Sequence, residues 1–285
     1  MIEGRPSDTA LHVAAARAAH LRYDPPPHLL EDRAAEELLG ALGDALIPMY
    51  ANDGPSWILR ENRVFLPFRA RFVEDRLAAV YSAGVRQLVV LGAGLDSYAF
   101  RRPAEQSALR IFEVDHPSTQ RWKRARIAEL GWSPPEGHSF VPCDFEKARP
   151  SEVLRKAGFV TTEAALVSWM GVIYYLEPET ARSALVDLRD MLAPGSEVAF
   201  DYLYPVEDLP IRYQQLQQEI AGQLKKFGEP QQNRYRVKAL EKEILNSGFA
   251  EALVQDAGVL IRDAMSSTDP EPPVAERFGL AVARR

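Results

Sequence analysis

A glycine-rich turn and a set of acidic residues give this sequence the means to bind a nucleotide-like ligand. The turn is Gly92-Ala93-Gly94, and it directly follows the apolar run Gln87 to Leu91. Glycines remove side chains where a ligand must approach the backbone, and the N–H groups at the start of a following helix are free to bind it. Tight strand-to-helix turns also use glycine for steric reasons alone, so the turn leaves ligand binding and simple packing both open.

Acidic residues end the next two apolar runs. Asp115 follows the glycine turn by about 20 residues, where a carboxylate can accept hydrogen bonds from both hydroxyls of a ribose. Glu113 shares a strand face with Asp115 by the two-residue period, so it could assist or line the pocket wall. Asp144 ends the third run, where it could bind an adenine amino group while Phe145 covers the ring. Solvated acids at strand ends are the alternative interpretation.

A nicotinamide-dependent oxidoreductase is the competing enzyme class, because it binds its cofactor at the same kind of strand end. Its fingerprint G-x-G-x-x-G needs a third glycine, and Ser97 occupies that position here. The sequence therefore disfavours a dinucleotide site.

Composition limits the partners of the protein. The chain has 285 residues, 46% hydrophobic and 26% charged, which is typical of a folded globular protein. Its net charge of −6 does not supply the basic surface that nucleic acid or an anionic membrane attracts. The single cysteine, Cys143, excludes an internal disulfide and a Cys-rich metal site. No apolar run approaches the roughly 18 residues of a membrane span, and no signal-peptide pattern is present, so we expect a cytoplasmic protein. We expect its partner to be a small molecule. The sequence does not specify the oligomeric state.

The elements that must position these residues follow from short apolar runs that alternate with helical segments after residue 84. Such alternation predicts βαβ units and an open α/β sheet that is mostly parallel. The predicted strands are Gln87–Leu91, Leu109–Val114, Ser139–Pro142, Ala164–Trp169, Glu197–Tyr202, Ala250–Gln255 and Phe278–Ala283. The predicted helices among them are Pro117–Leu130, Ala148–Ala157, Pro178–Leu192 and Val237–Asn246.

Helical patterns also dominate residues 1–83, which we predict to form a cap over the α/β core at 84–285 in a single domain spanning 1–285. Its helices are predicted at Asp8–Tyr23, Leu29–Leu46 and Phe65–Ala83. An insertion at about 205–235 carries the amphipathic stretch Leu209 to Phe227, which we predict to be a helical lid. Residues 266–273 are expected to form a loop.

The segments Val90 to Arg101 and Phe112 to Pro117 resemble the leucine carboxyl methyltransferase-like family of class I S-adenosylmethionine-dependent methyltransferases. The likeness covers nearly the whole chain and extends to Arg69-Ala70-Arg71-Phe72, the Ala-rich segment with Arg17, Asp144-Phe145 and Gly171 to Leu176. It implies a Rossmann-like sheet of about seven strands whose last strand is antiparallel, beneath an N-terminal helical cap. It also implies S-adenosyl-L-methionine as the cofactor.

The resemblance assigns roles residue by residue. An arginine ahead of the first strand would hold the methionine carboxylate, and both Arg69 and Arg71 match it. One departure is Met170, beside Trp169, where the carboxyl methyltransferases have a glutamate; a leucine carboxylate as the substrate is therefore in doubt. The cofactor-binding candidates are Arg69, Arg71, Gly92, Ala93, Gly94, Asp115, Asp144, Phe145 and Trp169.

Methyl transfer from a sulfonium is an in-line displacement that depends on positioning. A carboxylate acceptor needs no general base at neutral pH, whereas a hydroxyl does. None of the five histidines stands in a pattern that identifies a base, although His20 and His116 are candidates. Aromatic faces stabilise a sulfonium, so the predicted substrate pocket contains Tyr98, Met170, Tyr174 and Tyr202.

The sequence thus predicts an O-methyltransferase that acts on a carboxyl or hydroxyl group of a small molecule. N- or C-methylation and a non-catalytic S-adenosylmethionine-binding protein are the alternatives. No metal site is predicted, because no His or Cys pair has useful ligand spacing.

Overall fold

A computed structural model of the chain describes residues 7–52, 56–145, 147–226, 230–265 and 275–285. The helices of the first part are α1 (Asp8–Tyr23), α2 (Arg33–Leu39), α3 (Ala41–Leu46), α4 (Trp57–Ser82), α5 (Tyr98–Arg101) and α6 (Pro117–Glu129). The later helices are α7 (Pro150–Lys156), α8 (Pro178–Met191), α9 (Ile211–Lys226), α10 (Val237–Asn246) and α11 (Ala257–Met265). The strands are β1 (Gln87–Leu91), β2 (Arg110–Asp115), β3 (His138–Pro142), β4 (Leu166–Ser168), β5 (Glu197–Leu203), β6 (Glu251–Asp256) and β7 (Phe278–Arg284).

The strands form one seven-stranded sheet in the order β3-β2-β1-β4-β5-β7-β6. β1 to β5 pair in parallel, and β7 is antiparallel to both β5 and β6. This topology confirms the predicted Rossmann-like α/β sheet of seven strands with a reversed last strand.

Helices cover both faces of the sheet because its central strands alternate two sets of apolar side chains. Val89 and Leu91 of β1 belong to the larger apolar cluster, which includes residues of α1, α4, α8 and α10. Leu88 and Val90 belong to a second cluster with Val73 of α4. β1 is therefore buried on both sides, which explains why its sequence is a continuous apolar run.

The cap differs from the prediction at two points. The helix predicted over Leu29–Leu46 is broken at Gly40, which has a φ of +55° and ends α2. The helix predicted from Phe65 begins at Trp57 instead, with Pro67 inside it. The turns of α4 upstream of Pro67 are retained, and Ile58 of these turns is buried.

Another difference is α11, a nine-residue helix between β6 and β7 that the sequence analysis did not predict. It buries Ala257 and Ile261 against the core. The loop predicted at 266–273 and the last residue of the predicted lid helix, Phe227, lie outside the described residues. Among the helices that the structure describes, none has the length and hydropathy required to cross a bilayer.

The register of the parallel strands brings their carboxyl ends to one edge of the sheet. Leu91 pairs with Val114, and Asp115 pairs with Pro142. Three backbone hydrogen bonds continue this alignment past the strand ends, from Gly92 N to Val114 O, from Cys143 N to Asp115 O and from Trp169 N to Ala199 O, each 2.8 Å long. The segments that follow β1 to β5 therefore meet there, as ligand-binding segments of open α/β sheets do.

Candidate functional site

The glycine turn after β1 requires glycine for reasons of packing and backbone conformation. Gly92 has a φ of +68° and Gly94 a φ of +50°. A Cβ atom on Gly92 would lie 2.5 Å from Cγ2 of Val172, and one on Gly94 would lie 3.0 Å from Cβ of Ala10. Both glycines are therefore explained by packing and backbone conformation alone. For this reason the turn does not by itself identify a ligand site, and the residues around it must do so. Ala93 between the glycines is buried in the second apolar cluster.

Asp115 lies directly beside this turn. Its Oδ2 accepts the N–H of Gly94 at 2.5 Å, and its Oδ1 accepts the N–H of His116 at 2.6 Å. Burial raises the pKa of Asp115, and the two amide donors oppose that rise in part. The carboxylate is thus held rigidly at the end of β2, where it can still accept hydrogen bonds through its remaining lone pairs.

Asp144 and Phe145 follow β3 at the same edge. The Asp144 carboxylate accepts a hydrogen bond from Lys147 Nζ at 2.6 Å, and its Oδ2 lies 3.9 Å from Nε2 of His116. Phe145 packs, partly buried, against the larger apolar cluster. The structure therefore brings Asp115, Asp144 and Phe145 to adjacent strand ends.

Glu113 does not join the group of Asp115, Asp144 and Phe145. It is buried with an ion pair of 2.5 Å to Lys123 Nζ, and its other oxygen lies 3.1 Å from His138 Nε2. Although burial opposes ionisation, Lys123 holds the pKa of Glu113 below its usual range. The two-residue period placed Glu113 on the correct strand face, but Lys123 of α6 engages its carboxylate within the protein.

Arg69 lies beside the ends of β4 and β5, and it contacts an acid that the sequence analysis did not identify. Its Nη1 donates to Oδ2 of Asp201 at 2.8 Å, while Oδ1 of Asp201 accepts the N–H of Gly171 at 2.6 Å. Asp201 is fully buried and Arg69 nearly so. One carboxylate therefore fixes both the guanidinium from α4 and the loop that follows β4.

Arg71 and Tyr98 lie elsewhere. Arg71 is half exposed and pairs with Asp75 at 2.5 Å on the surface of α4. The hydroxyl of Tyr98 donates to the side chain of Gln106. Both residues line a shallow groove of about 370 Å³ whose lining includes neither Asp115 nor any residue between 169 and 174. Of the two candidate arginines, Arg69 is the one that the structure places at the strand ends.

The aromatic residues after β4 are buried. Trp169 is 2% exposed and meets Phe200 edge to face, with ring centroids 6.0 Å apart. Met170 packs against both apolar clusters. The Tyr174 hydroxyl lies 3.5 Å from Arg69 Nη1, at the limit of a hydrogen bond. Burial, with the nearby charge of Asp201, raises the pKa of Tyr174 well above its ordinary value, so the hydroxyl stays protonated.

Tyr202 does not join this group. It alternates with Asp201 along β5, so its side chain is on the opposite face of the sheet. The ring covers Gly279 of β7, where an added Cβ would lie 2.2 Å from it, and the hydroxyl donates to Tyr204 at 3.2 Å. The structure thus gives Tyr202 a packing position, which the alternation along β5 could have indicated.

A buried polar network ties the cap to the glycine turn, and the sequence analysis missed it. Asp32 is fully buried; it accepts hydrogen bonds from Arg17 Nε at 2.8 Å and from Ser97 Oγ at 2.7 Å. Arg17 also donates to Leu95 O at 2.7 Å. Although burial opposes ionisation, the charges of Arg17 and Arg101 hold the pKa of Asp32 below its usual range. Ser97 occupies the position where a dinucleotide fingerprint has its third glycine. Its side chain instead anchors the cap through Asp32.

The histidine candidates have structural partners. His20 accepts the N–H of Leu29 through Nε2 at 2.9 Å, so that its Nδ1 carries the proton toward Asp24. It therefore has no ring nitrogen free to act as a base. His116 caps α6 and contacts Ser118 through Nδ1. Within the described ranges, no cluster of three or more His, Cys, Asp or Glu side chains could hold a metal ion.

The group at this edge fits S-adenosylmethionine chemically. Asp115 uses one lone pair on each oxygen and keeps capacity for two ribose hydroxyls, since a carboxylate has about four acceptor positions. Both hydrogen bonds found for Arg69 come from Nη1, which leaves Nε and Nη2 to donate to a carboxylate. An acid with unused acceptor positions and an arginine with unused donors thus lie at the same edge of the sheet.

Comparisons with known proteins agree on one family. A family model described as "Leucine carboxyl methyltransferase" matches residues 10–188. The Bacillus subtilis protein described as "Putative S-adenosyl-L-methionine-dependent methyltransferase YktD" is 29% identical over 94% of this chain and 91% of its own length. A Parafrankia protein with the same general description is 36% identical over 68% of this chain and 62% of its own length.

Solved structures support the fold. A duf574 family protein from Streptomyces avermitilis is similar with a TM-score of 0.57 and 18% identity, over 95% of this chain and 97% of that one. At this identity the likeness concerns the fold alone, whereas the family model covers well over half of the sequence. The chain therefore belongs to the leucine carboxyl methyltransferase family and is an S-adenosylmethionine-dependent methyltransferase.

Proposed function

We propose that this enzyme transfers a methyl group to a carboxyl or hydroxyl oxygen of a small molecule. The observation that carries the proposal is the set of side chains beside the ends of β4 and β5. Arg69, Asp201 and Tyr174 gather there, and Tyr174 stays protonated. The negative net charge of the chain supports a small-molecule acceptor over nucleic acid, and its single cysteine supports a cytoplasmic location.

The chain's own residues divide the work of binding. S-adenosylmethionine supplies the methyl group on a sulfonium centre. Asp115 would accept the ribose hydroxyls, Asp144 and Phe145 would hold the adenine, and Arg69 would hold the methionine carboxylate. Trp169 and Met170 would exclude water around the sulfonium. Positioning accounts for most of the catalysis in such a displacement.

Two candidate bases among the described residues, His20 and Tyr174, are not available, which favours a carboxylate acceptor over a hydroxyl. A carboxylate is already ionised at neutral pH, whereas an alcohol must lose a proton. His20 is engaged by Leu29, and the pKa of Tyr174 is raised by burial, so neither can remove a proton near neutral pH. His116, whose Nε2 lies 3.9 Å from Oδ2 of Asp144, is the remaining candidate base if the acceptor is a hydroxyl.

Two experiments test the proposal. S-adenosylhomocysteine should raise the melting temperature of the purified protein, because a ligand that binds only the folded state stabilises it by mass action. No stabilisation at millimolar ligand would contradict cofactor binding at this edge.

Incubation with methyl-labelled S-adenosylmethionine and a metabolite extract should yield a labelled small molecule. Release of the label as methanol in mild base would identify a methyl ester and hence a carboxyl acceptor. A base-stable product would identify an ether or an N- or C-methyl group, and methyl-group NMR would distinguish these. A base-stable N- or C-methyl product would contradict the O-methyl proposal.

A further inference from the structure

Arg234 is a partly buried cation that forms no ion pair with a carboxylate within the described ranges. Its Nη1 donates to Tyr204 O at 3.0 Å, and its Nη2 donates to the side-chain oxygens of Gln217 at 2.9 Å and Gln231 at 2.8 Å. All of these acceptors are neutral, and no carboxylate among the described residues forms an ion pair with it. A partly desolvated guanidinium that lacks a counter-charge gains from an anion that reaches its remaining N–H groups.

Gln217 of α9 points to the same place. It is 2% exposed, its oxygen accepts from Arg234, and its Nε2 is a buried donor with no hydrogen-bond partner among the residues that the structure describes. Buried donors are nearly always paired, because an unmade hydrogen bond costs about 1 to 3 kcal/mol. The protein therefore presents a second unused donor beside Arg234.

A second arginine borders this place. The backbone carbonyl of Arg277 accepts the N–H of Tyr204 at 3.1 Å, and the side chain of Arg234 donates to the carbonyl of Tyr204. Both arginines therefore contact the backbone of Tyr204. Arg277 is buried, and its Nε lies 3.4 Å from Oε1 of Glu61. Burial raises the pKa of Glu61 despite that contact, and burial together with Arg277 lowers the pKa of Arg234. Two guanidinium groups therefore lie close enough to repel each other, although the charge of Glu207 also acts on Arg234.

The cluster lies next to the proposed methyl-transfer site. Tyr204 follows β5 directly, and the N–H of Gln232 donates to Tyr174 O at 2.8 Å. The segment that carries Arg234 therefore runs alongside Tyr174, which contacts Arg69. Tyr204 also packs against the apolar cluster that α9 forms with α4. Backbone hydrogen bonds thus join the segment that carries Arg234 to the proposed methyl-transfer site.

We propose that Arg234, Gln217 and Arg277 form an anion subsite that binds a carboxylate or phosphate group of the methyl acceptor, at a point remote from the methylated atom. This inference builds on the proposed methyl transfer and adds the substrate class, which is a small molecule with an oxyanion in addition to its acceptor group. The guanidinium fork suits an oxyanion because it can donate two parallel hydrogen bonds.

Anion binding can be measured without knowledge of the acceptor. Thermal unfolding is followed with saturating S-adenosylhomocysteine while sodium phosphate or sodium succinate replaces sodium chloride at equal ionic strength. We expect phosphate or succinate to stabilise the wild type more than chloride does, and the more effective of them identifies a phosphate or a carboxylate subsite. In Arg234→Gln the apparent dissociation constant of that anion should rise about tenfold, which corresponds to one charge-assisted hydrogen bond.

Arg236→Gln is the matched control, because Arg236 is an exposed arginine two residues away that pairs with Glu207 and Asp208. It should bind the anion as the wild type does. Gln217→Met keeps the volume but removes both the unpaired donor and the oxygen that orients Arg234, so it should weaken anion binding and gives a second test if Arg234→Gln does not fold.

The result that would overturn the subsite is an equal anion effect in the wild type and Arg234→Gln, or in the wild type and Gln217→Met if Arg234→Gln does not fold. A wild type that phosphate and succinate stabilise no more than chloride would overturn it as well. Stabilisation by S-adenosylhomocysteine in chloride alone is recorded separately. If S-adenosylhomocysteine does not stabilise the wild type in chloride, the result counts against the proposed methyl transfer. If it does stabilise the wild type and no anion effect is seen, the result counts against the subsite only.

Discussion

The carboxyl edge of the sheet has two halves that are built in different ways. At the ends of β1 to β3, the turn at residues 92–94 and Asp115 form a group held by backbone amides, and its carboxylates are partly exposed. At the ends of β4 and β5, the buried pair Arg69–Asp201 holds the loop at Gly171 through side chains. The first half is shaped by hydrogen bonds between neighbouring strand ends, and the second by contacts from helix to strand.

The two halves should therefore respond differently to mutation. Removal of a carboxylate held by neutral amides leaves no unpaired charge, so we expect a smaller loss of stability together with loss of a ligand contact. A buried ion pair cannot be broken without leaving an uncompensated charge in the core. We expect substitutions in the first half to change ligand affinity and substitutions in the second half to change stability as well.

The largest effect is expected from Asp201→Ala. It leaves the buried Arg69 without its counter-charge and the Gly171 N–H without its acceptor, so the free energy of unfolding should fall by about 3 to 5 kcal/mol. Urea denaturation measures this change. Arg71→Gln breaks an exposed ion pair on α4, the helix that also carries Arg69, and should lower the free energy of unfolding by less than about 1 kcal/mol. Similar costs for the two variants would contradict the buried pair.

Asp115→Ala should act on binding. Loss of the hydrogen bonds that a charged acceptor makes to the ribose should weaken S-adenosylhomocysteine by about 2 to 3 kcal/mol, roughly 30- to 150-fold. Calorimetric titration measures the affinity, and Asp75→Ala on the exposed face of α4 is the control. Unchanged affinity in Asp115→Ala would remove Asp115 from the cofactor site.

A pH dependence should accompany that contact. Burial raises the pKa of Asp115, so on acidification its carboxylate takes up a proton at a higher pH than an ordinary aspartate does. The protonated group accepts hydrogen bonds less well, and S-adenosylhomocysteine should therefore bind about tenfold more weakly below this pKa than at neutral pH. Asp115→Asn should show a flatter profile. Equal acid dependence in both proteins would assign the titration to another group.

The smallest effect is expected where the cap joins the first half. Ser97→Ala removes a hydrogen bond to the buried Asp32 and should cost about 1 kcal/mol of stability. Arg17 still pairs with Asp32, so the carboxylate keeps a charged partner. Ser107→Ala, an exposed serine of the following loop, serves as the control. An unchanged free energy of unfolding in Ser97→Ala would show that Ser97 does not anchor the cap.

The sequence could predict the first half because its signals are local. Apolar runs located β1 and β2 within one residue, and the acid at the end of β2 follows the glycine turn by a spacing that the fold itself sets. α11 was missed because nine residues give little periodicity, and the start of α4 was missed because the apolar stripe that predicted this helix begins near Phe65.

The second half could not be predicted in the same way. Arg69 and Asp201 are 132 residues apart, so no local pattern connects them. An aspartate inside the apolar run of β5 was the one available signal for a buried charge, because a buried carboxylate needs a partner. Which cation would pair with it depends on where α4 packs, which the chain's pattern does not specify.

The most direct test asks whether the two halves hold the two ends of one cofactor. S-adenosylhomocysteine and 5′-methylthioadenosine, which lacks the amino-acid portion, are titrated into the wild type, Asp115→Ala and the neutral double variant Arg69→Gln/Asp201→Asn. We predict that Asp115→Ala weakens both ligands, while the double variant weakens only S-adenosylhomocysteine and leaves the smaller ligand unchanged. A double variant that keeps the wild-type preference for S-adenosylhomocysteine would contradict the proposed cofactor site.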